Sequence, residues 1–259
     1  NFFDGEEDYD AHERTQRMVG YALEHRFNDQ VTGRQLMRYL NSDVVLNQVY
    51  GFGWTSPTSD ELTRYYSGSN ESLDAWTLDN QLEANISSGF MDHTLLFGVD
   101  YQQRENDVSW PSGYFPSINA FNPVYGSEPI EFYAPVRERH EIDQTGVYLQ
   151  DQIALNDWRF TLGGRYDWVN IDNTNRDSGD TSSLSDTQFS GRAGVVYLFD
   201  NGVAPYLSYS TAFTPTSFVD ESGDLLQPME GEQWETGVKF QPNGSASQYS
   251  AALFHISQE

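Results

Sequence analysis

The sequence contains no cysteine, few basic residues and no long apolar run, and each deficit excludes a class of protein. Without cysteine, these 259 residues can form neither a disulfide framework nor a thiolate metal site. Apolar stretches such as Ala193–Phe199 are far shorter than the ~20 residues that a spanning helix needs, so helical membrane spans are excluded. Only 14 Lys and Arg stand against 39 Asp and Glu. This balance argues against nucleic acid as a partner, because phosphate backbones are bound by basic side chains.

Aromatic residues, by contrast, are abundant. They make up 15% of the chain, although the mean hydropathy is only -0.63. Disordered chains are poor in aromatic residues, whereas half-wet pleated sheets use Tyr, Trp, Phe and Thr with polar residues between them. The composition therefore favours an extended β architecture.

Period-two alternation of apolar and polar residues recurs along most of the chain. Such alternation is the pattern of a strand with two different faces. It predicts about ten strands, at Thr15–Phe27, Val31–Tyr50, Leu73–Ser88, His93–Asp107, Asp143–Leu155, Trp158–Ile171, Thr187–Phe199, Ala204–Phe213, Gln233–Phe240 and Gln248–Ser257.

The connections between these strands are alternately short and long. The short ones carry turn residues: Asn28-Asp29, Ser88–Asp92, Asn156-Asp157, Asp200–Gly202 and Pro242–Gly244. The long ones are polar: Gly51–Ser72, Val108–Ile142, Asp172–Asp186 and Thr214–Glu232. Short turns at one end and long loops at the other are typical of a bacterial outer-membrane barrel, whereas a soluble sandwich has shorter strands and no such division. The predicted fold is an all-β transmembrane antiparallel barrel with short periplasmic turns and long extracellular loops.

Alternation within the strands predicts which face meets lipid. In Trp158–Trp168, one face carries aromatic and aliphatic side chains and the other carries Thr161, Arg165 and Asp167. Lipid outside and water or a plug inside require this division. Asp151 is an exception, because it falls on the predicted lipid face close to a short turn, where the cost of a charge is small.

A series of short runs then carries a family resemblance. The runs are Val19–Tyr21, Glu24–Asp29, Asp92–Leu96, Gly98–Asp100, Gln144–Tyr148, Gln150–Gln152, Thr161–Trp168, Tyr197–Val203, Pro205-Tyr206 and Gly237–Phe240. In order and spacing they resemble TonB-dependent siderophore receptors, most closely the ferrichrome-type hydroxamate receptors. The resemblance implies a barrel of about 22 strands around an N-terminal plug domain. Residues 1–259 would supply a middle part of that barrel, without the plug or the first and last strands. Alone, such a block is expected not to close, because both edge strands stay unpaired.

The resemblance also implies a function. Such a receptor takes up ferric siderophores across the outer membrane of a Gram-negative bacterium, energised by the TonB complex through the plug. It meets outer-membrane lipid and lipopolysaccharide, and its long loops offer positions for a phage or a bacteriocin. No cofactor is expected, since ferric iron travels inside the siderophore. Recognition then acts on the organic shell, which suits aromatic side chains and a few hydrogen-bond donors.

Five residues are the candidates for siderophore contact. By resemblance, Tyr50 and Phe52 fall where such receptors place aromatic side chains at the mouth of the barrel. Trp110 matches a second such position, with Tyr114 and Phe115 as weaker neighbours. The alternative is that these side chains belong to an interfacial girdle or pack a loop.

Charge in the predicted loops bears on the ligand. Asn1–Arg14 holds six acids and one Arg, and Thr214–Glu232 holds five acids and no base. Loops of this sign would repel a triply anionic ferric catecholate and tolerate a neutral or cationic hydroxamate complex. The acidic runs Asp4–Asp10 and Asp220–Glu232 could hold calcium through oxygen ligands, but solvated loop surface is the preferred interpretation.

Three other classes of protein stay open. A passive porin or structural barrel predicts no plug and a constriction loop folded inward. An outer-membrane enzyme needs an acid–His or Ser–His site at the barrel rim, and none is apparent among the five scattered histidines, with His93 expected to be structural or solvated. A soluble β-sandwich or propeller would need no detergent. No catalytic residue and no metal site is predicted.

Overall fold

The chain forms one antiparallel sheet in which each strand pairs with the next, in the order β1 to β10. The computed structural model describes residues 2–130, 133–221 and 224–258. The strands are β1 Ala11–Arg26, β2 Val31–Trp54, β3 Glu61–Ser88, β4 Met91–Asn119, β5 Tyr133–Leu155, β6 Trp158–Asn175, β7 Thr181–Tyr197, β8 Val203–Thr214, β9 Met229–Phe240 and β10 Tyr249–Gln258. The predictions of ten strands and of an all-β antiparallel fold are confirmed.

Four of the five predicted tight turns contain a residue with a positive φ. Asn156 has a φ of 50°, and Gly89, Gly202 and Gly244 have φ values of 65°, 85° and 73°. These left-handed conformations suit Gly and Asn, because a Cβ atom clashes there in most other residues. The turn chemistry therefore sets where the strands reverse.

Three of the four predicted long loops are shorter than expected, because strand pairing continues into them. The described residues between the strands at this end of the sheet are 55–60, 120–130, 176–180, 215–221 and 224–228. Most of Gly51–Ser72 and Val108–Ile142 belongs instead to strands of 23 to 29 residues, although ~9–11 residues suffice to cross a bilayer. Beyond the membrane both faces of a hairpin meet water. The backbone hydrogen bonds between strands continue there, but lipid no longer requires apolar and polar residues to alternate.

One face of the sheet carries two layers of aromatic side chains with exposed aliphatic residues between them. The layer near the short turns contains Phe27, Trp158, Tyr197, Phe199 and Tyr249. The other layer contains Tyr39, Trp76, Tyr166, Trp168, Tyr209 and Trp234. Exposed Phe97, Leu149 and Leu162 lie between the layers. Two aromatic girdles around an apolar band are the surface that a bilayer requires. We call this side of the sheet the lipid face. Its membrane-spanning part lies between the two aromatic layers, and the strands extend well beyond the second layer.

The opposite face, here called the lumen face, is polar and is built by side chains that reach across a neighbouring strand. The Tyr148 hydroxyl on β5 donates to Asp79 Oδ1 on β3 over 2.8 Å. The ring can cross β4 because Gly98 stands beneath it, where an added Cβ atom would lie 2.1 Å from Tyr148 Cζ. A glycine is required here for close approach.

Arg165 on β6 repeats this arrangement one strand further along. Its guanidinium crosses β5 at Gly146, where a Cβ atom would lie 1.9 Å from Nη2, and it contacts Asp100 on β4. It also donates to both carboxylate oxygens of Asp167, over 2.7 and 2.6 Å. Asp167 is fully buried, so this pair is a rigid part of the lumen wall.

Asp151, the acidic residue predicted on the lipid face, has a partner. Asp151 lies opposite Leu95 near the short-turn end, as expected, and its Oδ2 lies 2.8 Å from His93 Nδ1. His93 therefore has a structural contact there. Within the described part of the chain, no helix is both long enough and apolar enough to cross a membrane.

Candidate ligand-binding site

An aromatic cluster lies on the lumen face of β2, β3 and β4, beyond the outer girdle. Tyr50, Tyr65 and Tyr114 stand opposite one another in register, so they share a face. Ring centroids lie 5.9 Å apart for both Tyr50–Tyr65 and Tyr65–Tyr114, and Phe52 lies 6.0 Å from Tyr65. Tyr65 and Asp79 lie an even number of positions apart on β3, with no register shift between them. Their side chains therefore point to the same face, which places the cluster on the lumen face.

The cluster is accessible to a ligand. Phe52 is 68% exposed and Tyr114 is 47% exposed, unlike the packed side chains on the other face of the same strands. The structure thus brings together three of the five candidates, Tyr50, Phe52 and Tyr114, and adds Tyr65. Their contact with a siderophore stays a prediction.

Trp110, the fourth candidate, lies closer to the membrane on the same face and is held in place. Its indole Nε1 donates to Glu71 Oε1 over 2.9 Å, and its ring meets that of His140 with centroids 6.1 Å apart. Burial opposes ionisation of Glu71, but hydrogen bonds from Trp110, Ser69 and Asn106 outweigh it and hold the pKa of this carboxyl below its usual value. The hydrogen bond to Glu71 therefore fixes the orientation of the Trp110 ring.

Phe115, the fifth candidate, points to the opposite face of β4 from Tyr114. It is 3% exposed and packs with Val49, Tyr66 and Tyr9. The Arg64 guanidinium carbon lies 4.9 Å from its ring centroid. Phe115 therefore packs against neighbouring side chains, which was the alternative role for these aromatic residues.

The acidic run at the N-terminus is not solvated surface throughout, which corrects the expectation for Asp4–Asp10. Glu6 and Arg64 are both fully buried and form an ion pair of 3.1 Å. Arg64 also donates to the carbonyl oxygens of Gly5 and Pro116, over 2.6 and 2.8 Å. Asp10 accepts from the Val49 amide over 2.8 Å. We call residues 3–10 the N-terminal clasp, because they bind the outer ends of β2, β3 and β4 together.

The β8–β9 connection folds onto the lumen face. We call residues 213–221 and 224–228 the inward segment. Phe213 and Leu225 pack against an apolar patch of β5 and β6, made of Ile142, Val169 and Ile171. The acidic side chains of this segment, Asp220, Glu221 and Asp224, are exposed, as expected for that acidic run.

The inward segment reaches the neighbourhood of Trp110 through a polar anchor. Ser217 Oγ lies 3.2 Å from His140 Nδ1, and the Ser217 carbonyl accepts from Asn173 Nδ2 over 3.3 Å. His140 Nε2 lies 2.7 Å from Glu138 Oε2. His140, which is 8% exposed, therefore links Trp110 to the segment.

Ser217, His140 and Glu138 form a Ser–His–acid contact that the sequence did not reveal, because Ser217 is distant along the chain. In hydrolases of this type the serine meets Nε2 and the acid meets Nδ1. Here the two nitrogens are exchanged, so the contacts suit an anchor for the segment. Among the described residues, no three His, Asp or Glu side chains are grouped as a metal site would require.

The Glu71 contact predicts the pH dependence of the Trp110 environment. A lowered pKa means that the carboxylate, and its bond to the indole, persists as pH falls through the usual Glu pKa of about 4.3 and is lost only below it. The difference in tryptophan emission between the protein and its Trp110→Phe variant should therefore stay constant from pH 7 to about pH 4.5. Glu71→Gln is the control, since its difference spectrum should not respond to acid at all. Both series are recorded in a His140→Gln background, because the His140 ring also contacts Trp110. A change there above about pH 5 would contradict this assignment.

Sequence reasoning missed Tyr65, Glu71, His140 and Ser217. The first two lie in a stretch read as a loop, although continuing the alternation of β3 outward from Asp79 places both on the lumen face. No local signal marks His140 or Ser217.

A run of long antiparallel strands with a girdled lipid face and a polar lumen face defines the wall of a transmembrane β-barrel. A family model described as TonB dependent receptor-like, beta-barrel matches residues 1–259. The chain belongs to this family. It is therefore part of an outer-membrane protein of a Gram-negative bacterium.

Several relatives are similar over nearly the whole chain. The ferrioxamine B receptor of Salmonella typhimurium is 53% identical over 99% of this chain and 36% of its own length. The ferrioxamine receptor of Yersinia enterocolitica is 40% identical over 99% and 37%. The ferrichrome outer membrane transporter/phage receptor of Escherichia coli is 36% identical over 96% and 36%. The chain thus spans about a third of the length of these relatives, each of which is named as a receptor.

Solved structures show the same fold. The closed form of a ferric-catecholate import receptor from Escherichia coli superposes with a TM-score of 0.83, at 18% identity, over 97% of this chain and 42% of that one. At such low identity the likeness is one of fold alone.

Proposed function

We propose that this chain forms part of the wall and of the ligand-binding vestibule of a receptor that takes up ferric hydroxamate siderophores. The observation that carries the proposal is the convergence of Tyr50, Phe52, Tyr65 and Tyr114 on the lumen face beyond the membrane. Flat, exposed rings suit the organic shell of a complex whose metal is already fully coordinated. No cofactor takes part, because the iron is cargo carried inside the siderophore.

The relatives support the hydroxamate class. Two of them are named for ferrioxamine and one for ferrichrome, and both ligands are hydroxamate complexes. The ferrioxamine receptors share more identity with the chain, so a ferrioxamine is the first ligand to test and ferrichrome the second. Exposed Asp220, Glu221 and Asp224 beside the vestibule favour a neutral or cationic complex over a trianionic catecholate.

Partners follow from the same proposal. Uptake is energised by TonB through a plug domain, and the girdled face contacts outer-membrane lipid and lipopolysaccharide. The relative named a phage receptor, and a solved complex of a related receptor with pyocin S2, support phage or bacteriocin binding at the outer hairpins.

A passive pore is the second candidate, because one observation favours it. A constriction segment folded inward is what a porin predicts, and the inward segment has this position. The family argues the other way. Uptake that disappears in a strain without TonB would exclude the passive pore, whereas undiminished uptake would support it.

Fluorescence titration of the full-length parent in detergent tests the siderophore proposal. Ferrioxamine B and ferrichrome should each quench tryptophan emission saturably, and a ferric catecholate should not. Tyr65→Ala should weaken hydroxamate binding by about tenfold to a hundredfold, because truncation of a central aromatic contact typically costs ~1–3 kcal/mol.

Phe121→Ala is the matched control for that titration. Phe121 is an aromatic residue of the neighbouring connection that is 84% exposed and lies outside the cluster, so its loss should leave affinity unchanged. Preferential binding of the catecholate, or normal hydroxamate binding by Tyr65→Ala, would contradict the proposed site.

A further inference from the structure

Two carboxylates flank Trp110 on the lumen face. Glu71 on β3 and Glu138 on β5 stand in one register row, on either side of Val108, which is buried. Glu71 accepts a hydrogen bond from the Trp110 indole. Glu138 contacts His140, whose ring meets that of Trp110. The two acids thus stand on opposite sides of the Trp110–His140 pair, on backbones two strand spacings, or ~10 Å, apart.

The negative charge of these two acids is not compensated by a basic side chain. Among the described residues, neither glutamate forms an ion pair with a Lys or Arg, and His140 compensates Glu138 only when protonated. Arg137 and Arg139 project from the opposite face of β5, because successive residues of a strand alternate. Burial opposes ionisation of Glu71, but three hydrogen bonds outweigh it and hold the pKa of this carboxyl below its usual value. The carboxylate is therefore charged at neutral pH.

Asn106 and Asn173 add hydrogen-bond acceptors to the same place. They flank His140 in the next register row on this face, and the Oδ1 atom of each is buried without a hydrogen-bond partner in the described part of the chain. The amide group of Asn106 donates to Glu71. Asn173, which is only 6% exposed, donates through Nδ2 to Glu138 Oε2 over 3.1 Å. Buried acceptors in proteins normally have a donor, so these two oxygens indicate a site for N–H groups.

A primary ammonium group has the chemistry that this place requires. It carries one positive charge and three N–H donors, and it has no acceptor. It can therefore compensate the carboxylates and donate to the amide oxygens beside them. Trp110 contributes as well, because an aromatic ring attracts a cation that lies over its face. A metal ion fits less well, since the described residues hold no group of three His, Asp or Glu side chains here.

We propose that Glu71 and Glu138, with the amide oxygens of Asn106 and Asn173, form a subsite beside Trp110 for an ammonium group carried by the ferric siderophore. This inference rests on the proposed function and deepens it. The aromatic cluster meets the organic shell of the complex, and the subsite selects complexes with a protonated amine over neutral ones. Exposed loop acids favour any cation at long range, whereas this subsite requires an N–H donor at one place.

Ferrioxamine B and its N-acetylated derivative test this in the full-length protein, because they coordinate iron identically and only the first bears an ammonium group. In fluorescence titrations, ferrioxamine B should bind at least about tenfold more tightly than the acetylated complex. In Glu71→Gln/Glu138→Gln the two affinities should become nearly equal, and each single substitution should remove part of the preference. Because the two complexes are compared within one variant, any effect of the substitutions on the fold or on Trp110 cancels.

Glu105→Gln is the matched control. Glu105 precedes Asn106 on β4 but lies on the opposite face, where it pairs with Arg139 over 2.6 Å, so its loss should leave the preference unchanged. Equal affinity of the wild type for the two complexes, or a preference that persists undiminished in Glu71→Gln/Glu138→Gln, would overturn the subsite and leave hydroxamate binding intact. If the wild type binds neither complex and does not bind ferrichrome, the proposed function itself fails, and the subsite with it.

Discussion

Replacing Arg64 by methionine should release the N-terminal clasp from the outer ends of β2, β3 and β4. Glu6 would keep its buried position without a cation, and the carbonyls of Gly5 and Pro116 would lose their donor. Removing one partner of a buried ion pair costs about 3–5 kcal/mol, because the remaining charge stays desolvated. In hydrogen exchange of the full-length protein, amides of residues 3–10 and 117–126 should exchange faster by about two to four powers of ten.

Two variants control for this result. Arg17→Met removes an arginine whose pair with Asp43 is exposed, and such pairs contribute about 0–1 kcal/mol, so exchange should barely change. Arg64→Met combined with Glu6→Leu should recover most of the loss, because no uncompensated charge remains. Unchanged exchange in Arg64→Met would show that the clasp is held by other contacts. Since β3 and β4 also carry Tyr65 and Tyr114, the proposed siderophore binding should be weaker in the single variant as well.

The membrane-level part of the fold could be predicted because lipid constrains the sequence there. In Trp158–Trp168 every second residue must tolerate hydrocarbon, so the alternation shows both the strand and its faces. Turn residues such as Asn156 and Gly202 mark the reversals for an equally local reason, their positive φ. Structural features that depend on a residue and its immediate neighbours can therefore be predicted from the sequence alone.

Beyond the membrane that constraint disappears, and prediction failed there. Tyr65 and Glu71 lie in β3, yet their surroundings are too polar to resemble a strand in lipid. Burial of Glu6 depends on Arg64, which lies far along the chain, and so no local pattern reports it. The position of Ser217 beside His140 depends on a contact between residues 77 positions apart, so no local pattern reports it either.

Arg165→Met should cause the largest loss of stability in the membrane-level barrel. Asp167 is fully buried and accepts two hydrogen bonds from Arg165 and one from Gln144, over 2.8 Å. Asp100 depends on the same guanidinium. Without it, two carboxylates on neighbouring lumen positions lose their cation, at a cost of about 3–5 kcal/mol. The urea midpoint of the full-length receptor in detergent should fall accordingly, as should the temperature at which its folded band disappears from a gel.

Both the charge and the planar shape of the Arg165 guanidinium contribute to this stability. Two further variants separate the two contributions. Arg165→Lys keeps the charge but cannot contact Asp100 and both oxygens of Asp167 together, so it should lose an intermediate amount of stability. Gly146→Val keeps Arg165 itself but obstructs its path across β5, so it should destabilise nearly as much as Arg165→Met. Arg159→Met, near the short turn of the same strand, removes only bonds to backbone carbonyls and should leave the midpoint almost unchanged. If Arg165→Met unfolded no more easily than Arg159→Met, the buried network would not stabilise the barrel, and the glycine beneath it would need another explanation.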